Sequence, residues 1–239
     1  MNKQVEVCLS PALYGTFKND EAIVIVVDIL RATSAICTAF MNGVKKIIPV
    51  ATLEEAQEYK RKGYMVAAER DGIVRDFADF GNSPYNFSVD NVQDREIVYS
   101  TTNGTNTIMM ASHSHEVLIG AYLNHHALVD HIIRKERDII ILCAGWKNKF
   151  NLEDTLFAGS LAEAVLDHAG FDTICDSTYA AIDLWSIARK DIMGYIEKVA
   201  QRHRLKKNKL DDVLEYCHTF DLTRKIPYLN EYYLLSREP

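Results

Sequence analysis

Asp28 and Arg31 follow the most strongly apolar stretch of the chain, Ala22-Ile-Val-Ile-Val-Val27. A carboxylate at such a place can ligate a hard cation such as Mg²⁺. A guanidinium beside it can fork onto phosphate, carboxylate or sulfonate oxygens. The same two groups would serve as well as a structural ion pair, or the aspartate could cap the following helix. Glu69-Arg70 delivers a second acid and arginine just past the stretch Tyr64 to Ala68, ahead of Asp71-Gly72. Alone, that pattern also describes a surface turn.

Thr101-Thr102-Asn103-Gly104-Thr105 places hydroxyls, an amide and a glycine between a strand-like and a helix-like segment. Backbone N–H groups there can cradle an anion. The segment lacks the lysine and the glycine spacing of a Walker A loop, and an ordinary helix cap without a ligand fits it equally. Asp79-Phe80-Gly81-Asn82-Ser83-Pro84 has turn chemistry with hydrogen-bonding side chains. Glu153-Asp154-Thr155 opens a helix, where acids favour the dipole with no catalytic role. The histidine pairs His113/His115 and His125/His126 match no H-E-x-x-H pattern. Cys143 ends an apolar run and reads as a small core residue rather than a thiolate nucleophile.

The elements that must position these residues repeat one phrase. Ala22 to Val27 is a strand covered on both faces, with Thr33 and Ser34 as helix N-caps and a helix over Ala35 to Asn42 stopped by Gly43. Glu96 to Ser100 is a strand, Thr101 to Thr105 a turn and Asn106 to Ala111 a helix. Asp138 to Cys143 is a strand that turns at Ala144-Gly145, and Glu153 to His168 has helical spacing. Further strands are expected at Val5 to Leu9, Lys45 to Val50 and Glu116 to Gly120, with a helix over Thr52 to Lys62 opened by a Thr52/Glu55 capping box. Asp71 to Asn91 reads as a long ordered loop, and helical stretches are expected near Ile187–His203 and Leu210–His218. Strand-turn-helix units in series predict an α/β fold: three α/β/α layers around a largely parallel or mixed sheet, in one unit over 1–239 with room for two lobes of similar build. Ligands in such folds sit beyond the carboxyl ends of the strands, where all three polar turns lie.

The 239 residues are 48% hydrophobic and 25% charged, as in a folded soluble protein, and the net charge of −6 gives no global field for nucleic acid or anionic membrane. The five scattered cysteines form no C-x-x-C pair and suit a reduced cytoplasm. No signal peptide is read, and no apolar run approaches the roughly 20 residues of a membrane span. A small anionic phosphate ester is the expected partner, and a homodimer is admitted only on general grounds.

In order along residues 5–180, the pieces V-V-D-I-L-R-A-T-S-A (26–35), E-R-D-G (69–72), F-G-N-S-P (80–84), T-T-N-G-T (101–105), N-H-H-A (124–127), C-A-G (143–145) and E-D-T-L-F-A-G (153–159) resemble the 2-phosphosulfolactate phosphatase family. The resemblance implies an α/β/α enzyme that releases phosphate from 2-phospho-3-sulfolactate with Mg²⁺. It implies Asp28, Glu69 and Asp154 as metal ligands, Asp28, Arg31, Glu69 and Arg70 as catalytic residues, and Thr102, Asn103, Gly104, Asn82 and Ser83 as substrate contacts. Ala68 stands where the family usually has glycine before Glu-Arg, and Asp76 where it usually has glycine before the loop phenylalanine, here Phe77. The 75–84 loop is therefore expected to line the pocket and tune substrate choice. The alternatives are a phosphatase or transferase on another phosphorylated hydroxy acid, and a silent small-anion-binding protein.

Overall fold

The computed structural model describes residues 2–239. In chain order the elements are β1 (Lys3–Cys8), α1 (Tyr14–Phe17), β2 (Ile23–Val27), α2 (Ala32–Met41), β3 (Lys46–Pro49), α3 (Leu53–Arg61), β4 (Met65–Arg70), β5 (Ile73–Val74), α4 (Val89–Val92), β6 (Glu96–Ser100), α5 (Gly104–Met110) and β7 (Glu116–Gly120). There follow α6 (His125–Lys135), β8 (Ile139–Cys143), α7 (Leu152–Leu166), β9 (Phe171–Asp172), α8 (Asp176–Ala188), α9 (Ile192–Ile196), α10 (Ala200–Lys207), α11 (Leu214–Cys217), β10 (Ile226–Asn230) and β11 (Tyr233–Arg237).

The strands form one mixed sheet of 11, ordered β5-β4-β6-β3-β11-β10-β7-β2-β8-β1-β9, within an α/β/α arrangement. β4, β6 and β3 are mutually parallel, and so are β7, β2, β8, β1 and β9. The C-terminal hairpin β10–β11 joins these two blocks by antiparallel pairing on both sides, to β7 and to β3. Three antiparallel steps in succession set the two parallel blocks in opposite senses.

β2 lies between β7 and β8 with every side chain buried. That is why it reads as a continuous apolar run rather than an alternating one. α2 is also buried along almost its whole length, and its Ala, Ser, Thr and Cys side chains let neighbours approach closely. Thr33 and Ser34 lie inside α2 rather than capping it; its N-cap is Arg31. The hydroxyls reach back instead: Thr33 Oγ1 accepts from the Asp28 N–H (3.0 Å), and Ser34 Oγ donates to the Ile29 carbonyl (2.9 Å). Gly43 follows the C-cap with φ +87, a conformation glycine adopts at little cost. The Thr52/Glu55 capping box of α3 forms as its sequence predicts.

The long 71–91 loop contains β5, a short 3₁₀ turn at Pro84–Phe87 and the start of α4. An edge-to-face ladder, Phe80 to Phe87 (5.1 Å between centroids) and Phe87 to Tyr99 (5.8 Å), fixes it against β6. No helix among the described residues is long and apolar enough to cross a membrane.

Candidate active site

A cavity lies at the carboxyl ends of β2, β8 and β4. The turn after β2 contributes Asp28 and Arg31, and the turn before α5 contributes Asn103. The segment between β8 and α7 contributes Gly145, Trp146 and Asn151, with Glu153 from the first turn of α7. Glu69 and Gly72 come from β4 and the turn after it, and Asn82 from the long loop. Gln201 and Leu205 of α10 close the space from the far end of the chain. The enclosed volume is about 20 Å³, room for roughly one ordered water.

Two acids hold the walls together. Asp154 is fully buried; its Oδ1 accepts from the Ile29 N–H (2.9 Å), and its Oδ2 from the Gly145 N–H and Asn151 Nδ2 (both 3.0 Å). It therefore ties the turn after β2 to the turn after β8. Glu69 does the same in the other block: Oε1 accepts from the Thr102 N–H (2.7 Å) and Oε2 from the Gly72 N–H (2.6 Å). Asn103 Oδ1 accepts from the Lys147 N–H (3.0 Å), which joins the second and third turns.

The oxygens left open belong elsewhere. Asp28 Oδ1 accepts one long bond from the Ala32 N–H (3.4 Å), and Oδ2 takes part in no hydrogen bond among the described residues. Glu153 is 2% exposed, and its Oε2 is buried without a partner. Asn151 Oδ1 is likewise buried and unpartnered. Opposite in charge stands Arg31, 3% exposed: Nη2 donates to Asn82 Oδ1 (2.8 Å), while Nη1 is buried with no acceptor. Unpaired buried groups of this kind are costly and rare, and one cavity gathers several.

Burial raises the pKa of Asp28 well above the carboxylate range, and the charges of Asp154 and Glu69 push it further. Burial and Glu153 raise Asp154; burial and Asp28 raise Glu153. A dense, desolvated acid cluster holds protons or calls for a cation. Among the described residues no three His, Cys, Asp or Glu side chains converge on a metal-holding point, so Asp28, Glu69 and Asp154 do not gather as one ligand set. Mg²⁺ needs only one or two carboxylates, with waters and substrate oxygens completing its shell. Asp28, Glu153 and the Asn151 amide oxygen meet that chemistry.

Arg70 turns away from the cavity; it donates to the carbonyls of Glu69 (2.6 Å) and Ala51 (3.1 Å) and to Ser100 Oγ (3.0 Å). Thr102 buttresses Glu69 and lines a neighbouring groove rather than the cavity. Gly104 lies so close to the site that a Cβ there would sit 2.6 Å from Ala32 Cβ and 3.0 Å from Asp28 Oδ2. Ser83 begins the 3₁₀ turn without a side-chain cap bond. Within 75–84, Asn82 is the residue that reaches the cavity wall; Phe77 packs on the small apolar cluster of β4 and β6 instead. Cys143 is fully buried, and burial together with Asp154 raises its thiol pKa well above normal.

Asn151, Trp146 and Gln201 were not singled out by sequence. Glu153 was in view but read as a helix-dipole acid, and Gln201 has no local signal at all.

The family model described as 2-phosphosulpholactate phosphatase matches residues 8–232. A protein of Clostridium novyi (strain NT) named "Probable 2-phosphosulfolactate phosphatase" is 33% identical over 207 residues, 85% of this chain and 87% of the relative. A protein of Thermotoga maritima bearing the same name is 33% identical over 216 residues, covering 90% and 92%. With this match spanning the cavity, the loops that line it and the first strand of the hairpin that joins the blocks, the chain belongs to the 2-phosphosulpholactate phosphatase family.

Proposed function

We propose that this chain hydrolyses 2-phospho-3-sulfolactate to 3-sulfolactate and phosphate with the help of Mg²⁺. The observation that carries the reading is the pairing, in one cavity, of open acid oxygens on Asp28 and Glu153 with the unpartnered Nη1 of Arg31. The names of the relatives support the ester.

Asp28 Oδ2, Glu153 Oε2 and Asn151 Oδ1 would hold the cation, which when bound offsets the charge of a phosphate dianion that otherwise repels nucleophiles. Arg31 donates through Nη1 to a phosphoryl oxygen, and its bond to Asn82 fixes the plane of the fork. Asp154 and Glu69 hold the turns in register through backbone N–H groups, so the reacting groups need not reorganise. Leu30, Leu205 and Gln201 limit bulk water. Direct attack of water on phosphorus is the favoured route, because the chain has Asp28-Ile29-Leu30 where aspartyl-phosphate phosphatases have D-x-D. The new oxygen–phosphorus bond forms as the ester bond breaks; the attacking water gives up one proton, and the leaving alkoxide takes one up to leave as the alcohol.

A phosphate-release assay on a panel of phosphorylated three-carbon acids tests this. Release should be fastest from the sulfonated ester, vanish in EDTA and return with Mg²⁺. Full activity in a stripped sample would remove the metal; no release from any ester would remove the function.

A further inference from the structure

Beside this cavity lies a cleft of about 350 Å³ that shares three lining residues with it, Trp146, Asn151 and Glu153. The inner space, about 20 Å³, is far below the roughly 300–1,000 Å³ usual for small-molecule sites. The outer cleft, which shares that rim of three residues, supplies the missing volume.

The chain as a whole is acidic, with a net charge of −6, yet the cleft is edged by Arg204, Lys149 and Lys198. Arg202, on the same helix as Arg204, is paired with Glu197 and Asp211. Among the described residues, Arg204, Lys149 and Lys198 have no carboxylate within ion-pair distance. Arg204 is nevertheless held in place: its guanidinium lies over the Trp146 ring (4.3 Å), and its Nε donates to Gln201 Oε1 (2.6 Å). Its two terminal nitrogens make no hydrogen bond among the described residues. An oriented fork with free ends suits a planar or tripodal oxyanion. Gln201 in turn donates from Nε2 to the Leu30 carbonyl (2.9 Å), above the inner cavity. The outer cation is thus mechanically linked to the roof of the inner site.

We propose that this cleft is the subsite for the sulfonate, one of the two acidic groups the substrate carries besides its phosphate, and that Arg204 is its specificity-determining contact; the assignment to a substrate rests on the phosphatase reading above. The phosphoryl group meets Arg31 at the mouth of the inner cavity, and the sulfonate meets Arg204 over the shared rim of Trp146, Asn151 and Glu153.

The test compares wild type, Arg204→Gln and Arg204→Lys on 2-phospho-3-sulfolactate and on 2-phospholactate, which lacks the sulfonate, with melting temperatures on the same samples. The expected loss in kcat/KM for Arg204→Gln is greater for the sulfonated ester by about tenfold or more, the size of one charge-assisted contact. Arg204→Lys should fall between. Equal losses on both esters would mark Arg204 as merely structural and overturn the proposal. A second arm is independent of turnover: calorimetric binding of 3-sulfolactate in Mg²⁺ should weaken by about tenfold in Arg204→Gln. Unchanged sulfolactate affinity sinks the subsite whatever the kinetics. Arg204-dependent sulfolactate binding in a protein that cleaves no ester would keep the subsite and sink the phosphatase reading.

Discussion

Glu153 and Asp154 are neighbours in sequence with opposite tasks. Asp154 accepts from two loop backbones, whereas Glu153 presents an open oxygen to the cavity. Asp154→Asn turns a donor toward one of those N–H groups, so it should cost about 1–3 kcal/mol of stability, read as a lowered melting temperature. Glu153→Gln should leave the fold intact and weaken Mg²⁺ binding measured by calorimetry. The pH dependence separates them further. Burial raises the Glu153 pKa, so the stability it contributes is present at low pH and lost as pH rises through the raised value. In chelator, wild type should therefore lose stability relative to Glu153→Gln as pH rises; a constant gap would mean that Glu153 is not the strained acid. Asp28 and Arg31 should also fail differently. Asp28→Asn keeps shape but removes the charge that holds a cation, and turnover should fall by a large factor with Mg²⁺ affinity. Arg31→Lys loses the fork and should chiefly weaken substrate binding, by roughly 1.5–3 kcal/mol. Normal kcat/KM in folded Asp28→Asn protein would remove Asp28 from the site.

Elements differ in how openly their sequences announce them. β2, β6 and β7 were legible because burial on both faces, or a dense β-branched run, leaves a signal in a few adjacent residues. α8 was not: its buried positions, Thr178, Ala181, Trp185 and Ala188, have helical spacing but are mostly small or polar. The β10–β11 hairpin was missed because Pro227 argues against a strand and its turn uses Glu231, not glycine, at positive φ. The site divides along the same line. Asp28 and Arg31 follow a readable strand, while Gln201 arrives from a helix over 170 positions away in sequence, by a packing that local pattern cannot encode. The start of α5 offers a test at this scale. Gly104 is required because a Cβ would press on Ala32 and Asp28 Oδ2. Gly104→Ala should push α5 away from α2, lower stability by about 1–3 kcal/mol and weaken Mg²⁺ binding together with turnover. Unchanged cation affinity in that variant would mean the α5 turn does not set the position of Asp28.

At the scale of the whole molecule, the two parallel blocks are joined within the sheet, among the described residues, only through the C-terminal hairpin. β10 meets β7 at Tyr228–Leu118, and β11 meets β3 at Leu234–Ile47. Leu234, Ile47 and Leu118 are all fully buried, so the seam is also part of the core. The cavity needs both blocks: Asp28 and Glu153 come from one, Glu69 from the other. A chain cut after residue 222 would lose the seam and expose the edges of β3 and β7, two unpaired templates for association. It should aggregate, or unfold in more than one step, and lose Mg²⁺ binding even though every cavity residue is retained. Leu234→Asp makes the same point without deletion, because it places an unpaired carboxylate in the seam and should cost several kcal/mol. Size-exclusion chromatography, thermal melts and cation titration on both variants decide the matter. A monomeric truncated chain with one sharp transition and wild-type cation affinity would show that the blocks are registered at the cavity itself, by the Asp154 and Glu69 ties, and that the hairpin only covers their edges.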